Sequence, residues 1–267
     1  MPEGDTIYRA AAKLRDAIGR QVIRNAETRS QTFPAKSLIG EPLTKIEALG
    51  KHLLMHLGDG RVLHSHMGMT GSWHVYQTQQ AWTKPSHQAE VVLRFEHADA
   101  VCFSPKLIEL LAPGELKRHL WLTRLGPDLL ADILDMDEAI ARFHRHDTSP
   151  IGEAVMNQAI VCGIGHVCKS ELLFLQQLHP RTYVRDLSDE QLISLITRST
   201  KLLKRNVNGG PRRTRFRGDG ITKWVYGRQG EPCLKCGATI QLTRQGDLGR
   251  TTYYCPSCQR FGDGLKA

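Results

Sequence analysis

The sequence predicts an α+β protein in three parts: a helix leading into a β-sandwich or small barrel, an all-helical stretch, and a terminal β-hairpin carrying four cysteines. Three observations carry that reading. Short apolar runs separated by Gly, Asp and Pro fill about residues 21–111, which is the pattern of strands. Those runs stop at Leu125-Gly126-Pro127-Asp128, and helical spacing takes over to about residue 206. Near the C-terminus, Cys233-Leu-Lys-Cys236 and Cys255-Pro-Ser-Cys258 stand 18 residues apart.

Taken in order, Ile7, Ala10, Ala11, Leu14 and Ile18 put apolar side chains on one face of a helix over 5–18, with Asp5 or Thr6 as its cap and Gly19 as its stop. Val22-Ile23, His52-Leu53-Leu54-Met55-His56, Trp73-His74-Val75-Tyr76 and Val91-Val92-Leu93-Arg94-Phe95 read as strands. Pro150 opens a helix to about Val161, Cys162-Gly163-Ile164-Gly165 breaks it, and a second helix runs from His166 to about Leu178. The capping box Ser188-x-x-Gln191 starts a further helix through Leu192, Leu195, Ile196 and Leu203. Asn206–Gly220, rich in Gly and Arg, then links to the cysteine module. No internal repeat is present. The expected division is 1–127, 128–223 and 224–260.

A chain of 267 residues with 40% hydrophobic content buries one or two cores without disulfides. The N-terminus lacks a basic region followed by an apolar one, and no apolar run reaches the roughly 18 residues of a membrane span. The expected location is therefore the cytoplasm or nucleoid. The net charge of +9 is unevenly placed: residues 201–267 hold 14 Lys/Arg against 4 Asp/Glu, and the first 200 hold 22 against 23. A polyanion is expected to meet the C-terminal quarter; a solvated basic face is the bland alternative. Cys102, Cys162 and Cys168, scattered among apolar residues, read as reduced core thiols.

Four thiolates at Cys233, Cys236, Cys255 and Cys258 saturate a tetrahedral Zn²⁺, leaving no position for substrate, so the metal expected is one structural zinc; an iron–sulfur centre fits the paired spacing less well. Between the pairs, Gly246-Asp247 and Gly249 suggest a hairpin tip with Arg250 just beyond it. That arginine is either a phosphate contact or a solvated turn cation. Pro2 would be a free secondary amine once Met1 is removed. Such an amine is nucleophilic near neutral pH and forms an iminium with a sugar C1′, with Glu3 beside it to move a proton. Proline at position 2 is also common in proteins without such chemistry.

The opening Pro2-Glu3-Gly4, the Gly50-Lys51-His52-Leu53 run, the Leu125-Gly126-Pro127-Asp128 junction, the Gly163-Ile164-Gly165 turn and the four-cysteine hairpin together resemble the formamidopyrimidine-DNA glycosylase and endonuclease VIII family over nearly the whole chain. The resemblance implies an N-terminal β-sandwich flanked by helices, and a helix-two-turn-helix domain with a zinc finger. It also implies a monomer that binds damaged or abasic double-stranded DNA in the cleft between the domains. It further implies a bifunctional DNA glycosylase and abasic-site lyase of base excision repair. In it Pro2 attacks C1′, Glu3 assists ring opening, Lys51 serves β-elimination and Arg250 serves δ-elimination. Met69 in His66-Met67-Gly68-Met69-Thr70-Gly71 would insert into the gap left by a flipped base, unless it is an ordinary core methionine. Arg124, Gly163, Gly165 and His166 would grip phosphates, the last three at a helix N-terminus; an interdomain salt bridge is the other reading of Arg124.

Departures from the family pattern qualify the picture. His166 stands where the family usually has asparagine, and a neutral histidine donates one N–H where an amide donates two, so the phosphate grip is expected to strengthen as pH falls. Residues 101–111 lack the Arg-Phe-Gly signature of formamidopyrimidine-type enzymes, and Asp5-Thr6 resembles the endonuclease VIII branch. Oxidised pyrimidines are therefore the favoured substrates, with an 8-oxoguanine-type activity as the alternative. A non-catalytic binder of damaged DNA, or a zinc-ribbon protein of transcription or RNA metabolism, would account for the charge and the cysteines but not for the amino-terminal signature.

Overall fold

The computed structural model describes residues 2–29, 31 and 33–262. They form two compact units, 1–124 and 125–267. In the first, helix α1 (Gly4–Ile18) begins at an N-cap Glu3 and ends at Gly19. The caps expected at Asp5 or Thr6 are thus two or three residues late: Gly4 already takes helical geometry, and the Asp5 carboxylate accepts the neighbouring Thr6 N–H at 2.6 Å from inside the first turn.

Eight strands follow: β1 (Asn25–Thr28), β2 (Leu43–Leu49), β3 (His52–Leu57), β4 (Val62–His66), β5 (Ser72–Gln77), β6 (Ala89–Arg94), β7 (Ala98–Phe103) and β8 (Leu107–Leu111). They make two antiparallel four-stranded sheets, ordered β1-β6-β7-β5 and β2-β3-β4-β8. Strand alternation sends Val91, Leu93, Ala100 and Cys102 of the first sheet and Ile46, Leu53, Met55 and Leu63 of the second into one core. Ile7, Ala11, Leu14 and Ile18 of α1 close that core. The Trp73 indole donates to Ser65 Oγ at 2.9 Å, so its buried N–H is satisfied across the sandwich. Val22-Ile23, expected as a strand, makes only a bridge from Val22 to Pro42, and regular pairing starts at Asn25; Ile23 is nonetheless buried in the core.

The second unit is built on α2 (Met136–His144), the four-residue α3 (Ile151–Ala154), α4 (His166–Leu175) and α5 (Asp189–Val207). At the start of α5 the Ser188 hydroxyl accepts from Gln191 N–H, and the Gln191 side chain accepts from Ser188 N–H. That reciprocal cap stabilises the helix by roughly 1 kcal/mol. The helix expected from Pro150 to about Val161 stops at Ala154. Beyond it side chains take over the backbone bonds: Asn157 Oδ1 accepts from Ala159 N–H at 3.0 Å, and Gln158 Oε1 from Gly163 N–H at 3.1 Å. The helix expected to reach Leu178 ends at Leu175, and Gln177 turns the chain with φ of 57°.

The terminal hairpin, β9 (Gln241–Gln245) and β10 (Arg250–Tyr254), lies on α4. Phe174 of α4 shares a small core with Val225, Ile240, Cys233 and Cys255. The fully buried Glu171 carboxylate accepts the backbone N–H groups of Trp224, Val225 and Tyr226 at 2.7–2.8 Å and also the Thr214 hydroxyl. One anion thus satisfies four donors that approach the finger.

Candidate active site and DNA interface

In the first unit, Pro2 is half-buried and Glu3 fully buried at the N-terminus of α1, where the helix dipole favours a carboxylate. Met1 lies outside the described residues. Lys51 occupies the second position of a two-residue turn between β2 and β3, since Leu49 pairs with His52. Gly50, with φ of 57°, supplies the positive φ that such a turn needs at its first position.

Strand register then brings two of the candidate residues, Lys51 and Met69, to one sheet end. His52 pairs with His66, and His66 with Leu107, so the Gly50–Lys51 turn, the loop 67–71 after β4 and Lys106 before β8 share that end. Met67 is buried in the core, whereas Met69 is 75% exposed, which removes the reading of Met69 as a core methionine. The loop is held tightly beneath it. Gly71 N–H donates to Met67 O at 3.0 Å, and a Cβ on Gly71 would lie 2.5 Å from that same oxygen. Burial lowers the His66 imidazole to about 4, and the Lys51 and Lys106 charges add to the effect. A neutral His66 is also what its hydrogen bond needs, since its Nδ1 accepts Gly68 N–H at 3.2 Å. Sequence reasoning missed Lys106; its cationic role emerges only once β4 and β8 are paired. Arg124 ends a short 3₁₀ turn, Leu122–Arg124.

In the second unit, Gly163, with φ of 114°, turns the chain into Gly165, the N-cap of α4, and no side chain caps that helix. His166 is its first residue. Gln158 braces the turn by donating to Ile164 O at 3.2 Å while accepting from Gly163. Arg250 is the first residue of β10, paired with Gln245 across a tip in which Gly246 and Gly249 have φ of 64° and 57°. Arg250 and Lys169 line an open cleft of about 440 Å³ together with Glu153, Gln158 and Asp247.

Lys169 is 1% exposed, and burial together with the Arg250 charge lowers its ammonium to about 8, against a weaker opposing pull from Glu153. Two cations facing one cleft make a place for an anion. Sequence reasoning did not single out Lys169. The available signal was a lysine at an otherwise apolar or small position on the helix that follows the Gly-x-Gly turn.

The finger sulfurs fit zinc. Cys233 and Cys258 Sγ are 3.9 Å apart, Cys236 and Cys255 3.4 Å, and Cys236 and Cys258 3.5 Å, with all four within 4.8 Å of one another. Tetrahedral ligands at a Zn–S distance of about 2.3 Å are about 3.8 Å apart. The four thiolates leave no open position, so the zinc is structural and supplies no step of chemistry. Cys102, Cys162 and Cys168 are fully buried, and burial pushes the Cys102 thiol well above its ordinary range.

Comparison with known proteins matches residues 1–106 to the formamidopyrimidine-DNA glycosylase N-terminal domain and 125–217 to the formamidopyrimidine-DNA glycosylase H2TH domain. Residues 230–260 match the zinc finger found in FPG and IleRS. A relative from Streptomyces coelicolor, named probable endonuclease 8 2, is 36% identical over 97% of this chain and 94% of its own. The chain belongs to the formamidopyrimidine-DNA glycosylase family. A second member, the Mycolicibacterium smegmatis protein named DNA-(apurinic or apyrimidinic site) lyase Nei2, is 32% identical over 97% of this chain and 99% of its own. The Lactococcus lactis Fpg solved in complex with abasic-site DNA superposes with a TM-score of 0.80 at 24% identity, covering 97% of this chain and 100% of that one, and so shares the family fold. Among the described residues no helix is long and apolar enough to cross a membrane.

Proposed function

We propose that this family member is a bifunctional DNA glycosylase and abasic-site lyase of base excision repair that removes oxidised bases, pyrimidines preferentially, from double-stranded DNA. Relatives named endonuclease 8 and abasic-site lyase over nearly their whole length support the activity class. The observation that carries the reading of the site is the shared sheet end, where a turn lysine, a second lysine and an exposed methionine on a braced loop stand together.

With Met1 removed, the Pro2 nitrogen attacks C1′ of the flipped nucleotide, and the base departs with the glycosidic electron pair. Glu3 delivers a proton as the sugar ring opens, leaving an iminium at C1′. The iminium draws electrons from the C2′–H bond, so loss of that proton expels the 3′ phosphate; Lys51 serves this β-elimination. A second elimination expels the 5′ phosphate, with Arg250 holding its charge. Met69 occupies the gap, offsetting lost stacking with apolar contact. Arg124, the Gly163–Gly165 turn and His166 bind phosphates, and we add Lys169 to that group. The three-part division 1–127, 128–223 and 224–260, a monomeric state and a cytoplasmic or nucleoid location complete the reading.

The test is single-turnover cleavage of duplexes that differ only in the lesion. Oxidised pyrimidines should be cut at least about ten-fold faster than 8-oxoguanine, a difference of about 1.4 kcal/mol in the barrier. The reverse order would assign the chain to the formamidopyrimidine-type activity, and binding without any cleavage would make it a damaged-DNA-binding zinc protein.

A further inference from the structure

The outward face of the β2-β3-β4-β8 sheet carries a run of buried and half-buried polar groups for which the reaction above has no use. His52, Leu54, His64, His66 and Glu109 alternate away from the apolar core, yet His64 is fully buried and His52 nearly so. His52 Nδ1 lies 2.8 Å from His64 Nε2, and His64 Nδ1 lies 2.8 Å from Glu109 Oε1. His119, from the segment that crosses this face, places its Nε2 3.0 Å from the same Glu109 oxygen. The far end of the chain closes on backbone, where Leu122 N–H donates to His119 Nδ1 at 3.3 Å.

Those contacts fix every proton. Because His119 Nδ1 accepts from Leu122, a neutral His119 carries its hydrogen on Nε2 and donates it to Glu109. The carboxylate also receives the His64 Nδ1 hydrogen, so His64 Nε2 bears a lone pair and accepts from His52 Nδ1–H. His52 and His64 donate in one direction, toward Glu109, and His119 Nε2–H donates to the same oxygen. Burial supports this: it takes His52 to about 2, and it lowers His64 despite the opposing pull of Glu109.

His64, Glu109 and His119 also have a composition that could hold a divalent cation. The hydrogen-bond geometry speaks against that occupant. A metal on His119 Nε2 would put the ring hydrogen on Nδ1, facing the Leu122 N–H, and the 2.8 and 3.0 Å nitrogen–oxygen separations are those of hydrogen bonds.

What the chain joins is informative. His52 directly follows Lys51 and is the first residue of β3, while Leu122 opens the turn that ends at Arg124. We propose that His64 and Glu109 are positioning residues, forming a half-buried strut that holds the Lys51 turn and the Arg124 turn in fixed relation across the sheet. The inference rests on the reading that Lys51 serves elimination and Arg124 grips a phosphate. A lost strut displaces both groups without removing either, and a displacement of about 1 Å at a reacting group costs up to about a hundred-fold in rate.

The experiment uses the full-length zinc-loaded protein and a duplex with one abasic site, following borohydride-trappable Schiff base and strand scission separately under single-turnover conditions. Glu109→Ala and His64→Leu should slow scission at least about ten-fold while changing the trapping rate less than about three-fold. Glu109→Gln, whose amide oxygen still accepts both ring N–H groups, should stay within about two-fold of wild type in both and guards against a trivial folding defect. Lys51→Ala should slow scission by itself, and Glu109→Ala added to it should cost less than it does in the wild-type background, only its effect through Arg124 remaining.

If Lys51→Ala leaves scission unchanged, the reading of Lys51 fails. If Lys51→Ala slows it but Glu109→Ala alters only the melting temperature, or slows trapping and scission equally, the strut fails. A second bound metal equivalent in the wild type that disappears in Glu109→Ala would overturn the hydrogen-bond assignment.

Discussion

The outer face of the β2-β3-β4-β8 sheet and the cleft between α4 and the finger hairpin handle buried polarity in opposite ways. On the sheet, three histidines and one carboxylate satisfy one another, and burial lowers the His52 and His64 imidazoles. In the cleft, Lys169 and Arg250 line one opening while Glu153 pulls Lys169 the other way, and burial and like charge depress the lysine. A closed network gives position, and an open pair of cations gives affinity for an anion. The contrast teaches which groups await a phosphate and which only hold other groups in place.

The largest effect is expected where the second unit depends on metal. Replacing Cys233 or Cys255 by Ser, or stripping zinc with a chelator, should unfold the hairpin that carries Arg250. Strand cleavage should then fall by at least about a hundred-fold, because structural zinc contributes on the order of 10 kcal/mol to such modules. Limited proteolysis should cut within 230–260 while the first unit stays resistant, and equal loss of both units would erase the contrast.

Next comes Glu171→Ala, which removes the carboxylate that three backbone N–H groups share, the Val225 group among them buried, and leaves the Thr214 hydroxyl only its longer bond to Thr222 O. Denaturant unfolding should show a loss of about 3 kcal/mol or more. A loss under about 1 kcal/mol would mean that water replaces the carboxylate there.

Lys169 sharpens the comparison through pH. Its ammonium is lowered to about 8, so between there and the ordinary lysine range the free protein holds it partly neutral, and a bound phosphate must restore the proton. Affinity for an uncleavable abasic-site duplex should therefore weaken as pH rises through about 8, and Lys169→Arg, which stays charged, should flatten that part of the curve. The linkage has the opposite sign in folding. The buried charge opposes the folded state below about pH 8, and this opposition fades as pH rises from there to the unfolded-state lysine pKa. An identical pH curve for the arginine variant would remove Lys169 from the phosphate site.

Smaller effects remain. Met69→Ala should leave stability within about 0.5 kcal/mol, since the side chain is 75% exposed, yet slow excision from duplex more than from a single strand. The smallest change is expected from His166→Asn, which should strengthen duplex binding near pH 7 and reduce its rise toward acid. A flat profile in the wild type that the asparagine variant leaves unchanged would dispose of the histidine grip.

Much of this was legible from residues alone. The Ser188–Gln191 capping box, the strand runs at His52, Trp73 and Val91, and the two cysteine pairs each act locally, and each forms where expected. What stayed hidden depends on register or burial. The histidines at 52 and 64 are twelve residues apart and Glu109 lies 45 residues from His64, so nothing before the strands are paired brings them together. The burial of Lys169 follows only from the packing of the hairpin on α4. The helix from Pro150 was overextended because Asn157 and Gln158 bond the backbone locally, a competition that apolar spacing does not reveal.

The central claim, covalent chemistry at the amino terminus, is tested most directly by reducing a reaction with abasic duplex in borohydride and mapping the crosslinked peptide by mass spectrometry. The account predicts one adduct, on the nitrogen of Pro2 in a chain that has lost Met1. Strand scission at full rate by a chain that keeps Met1, or an adduct on a lysine instead, would contradict it.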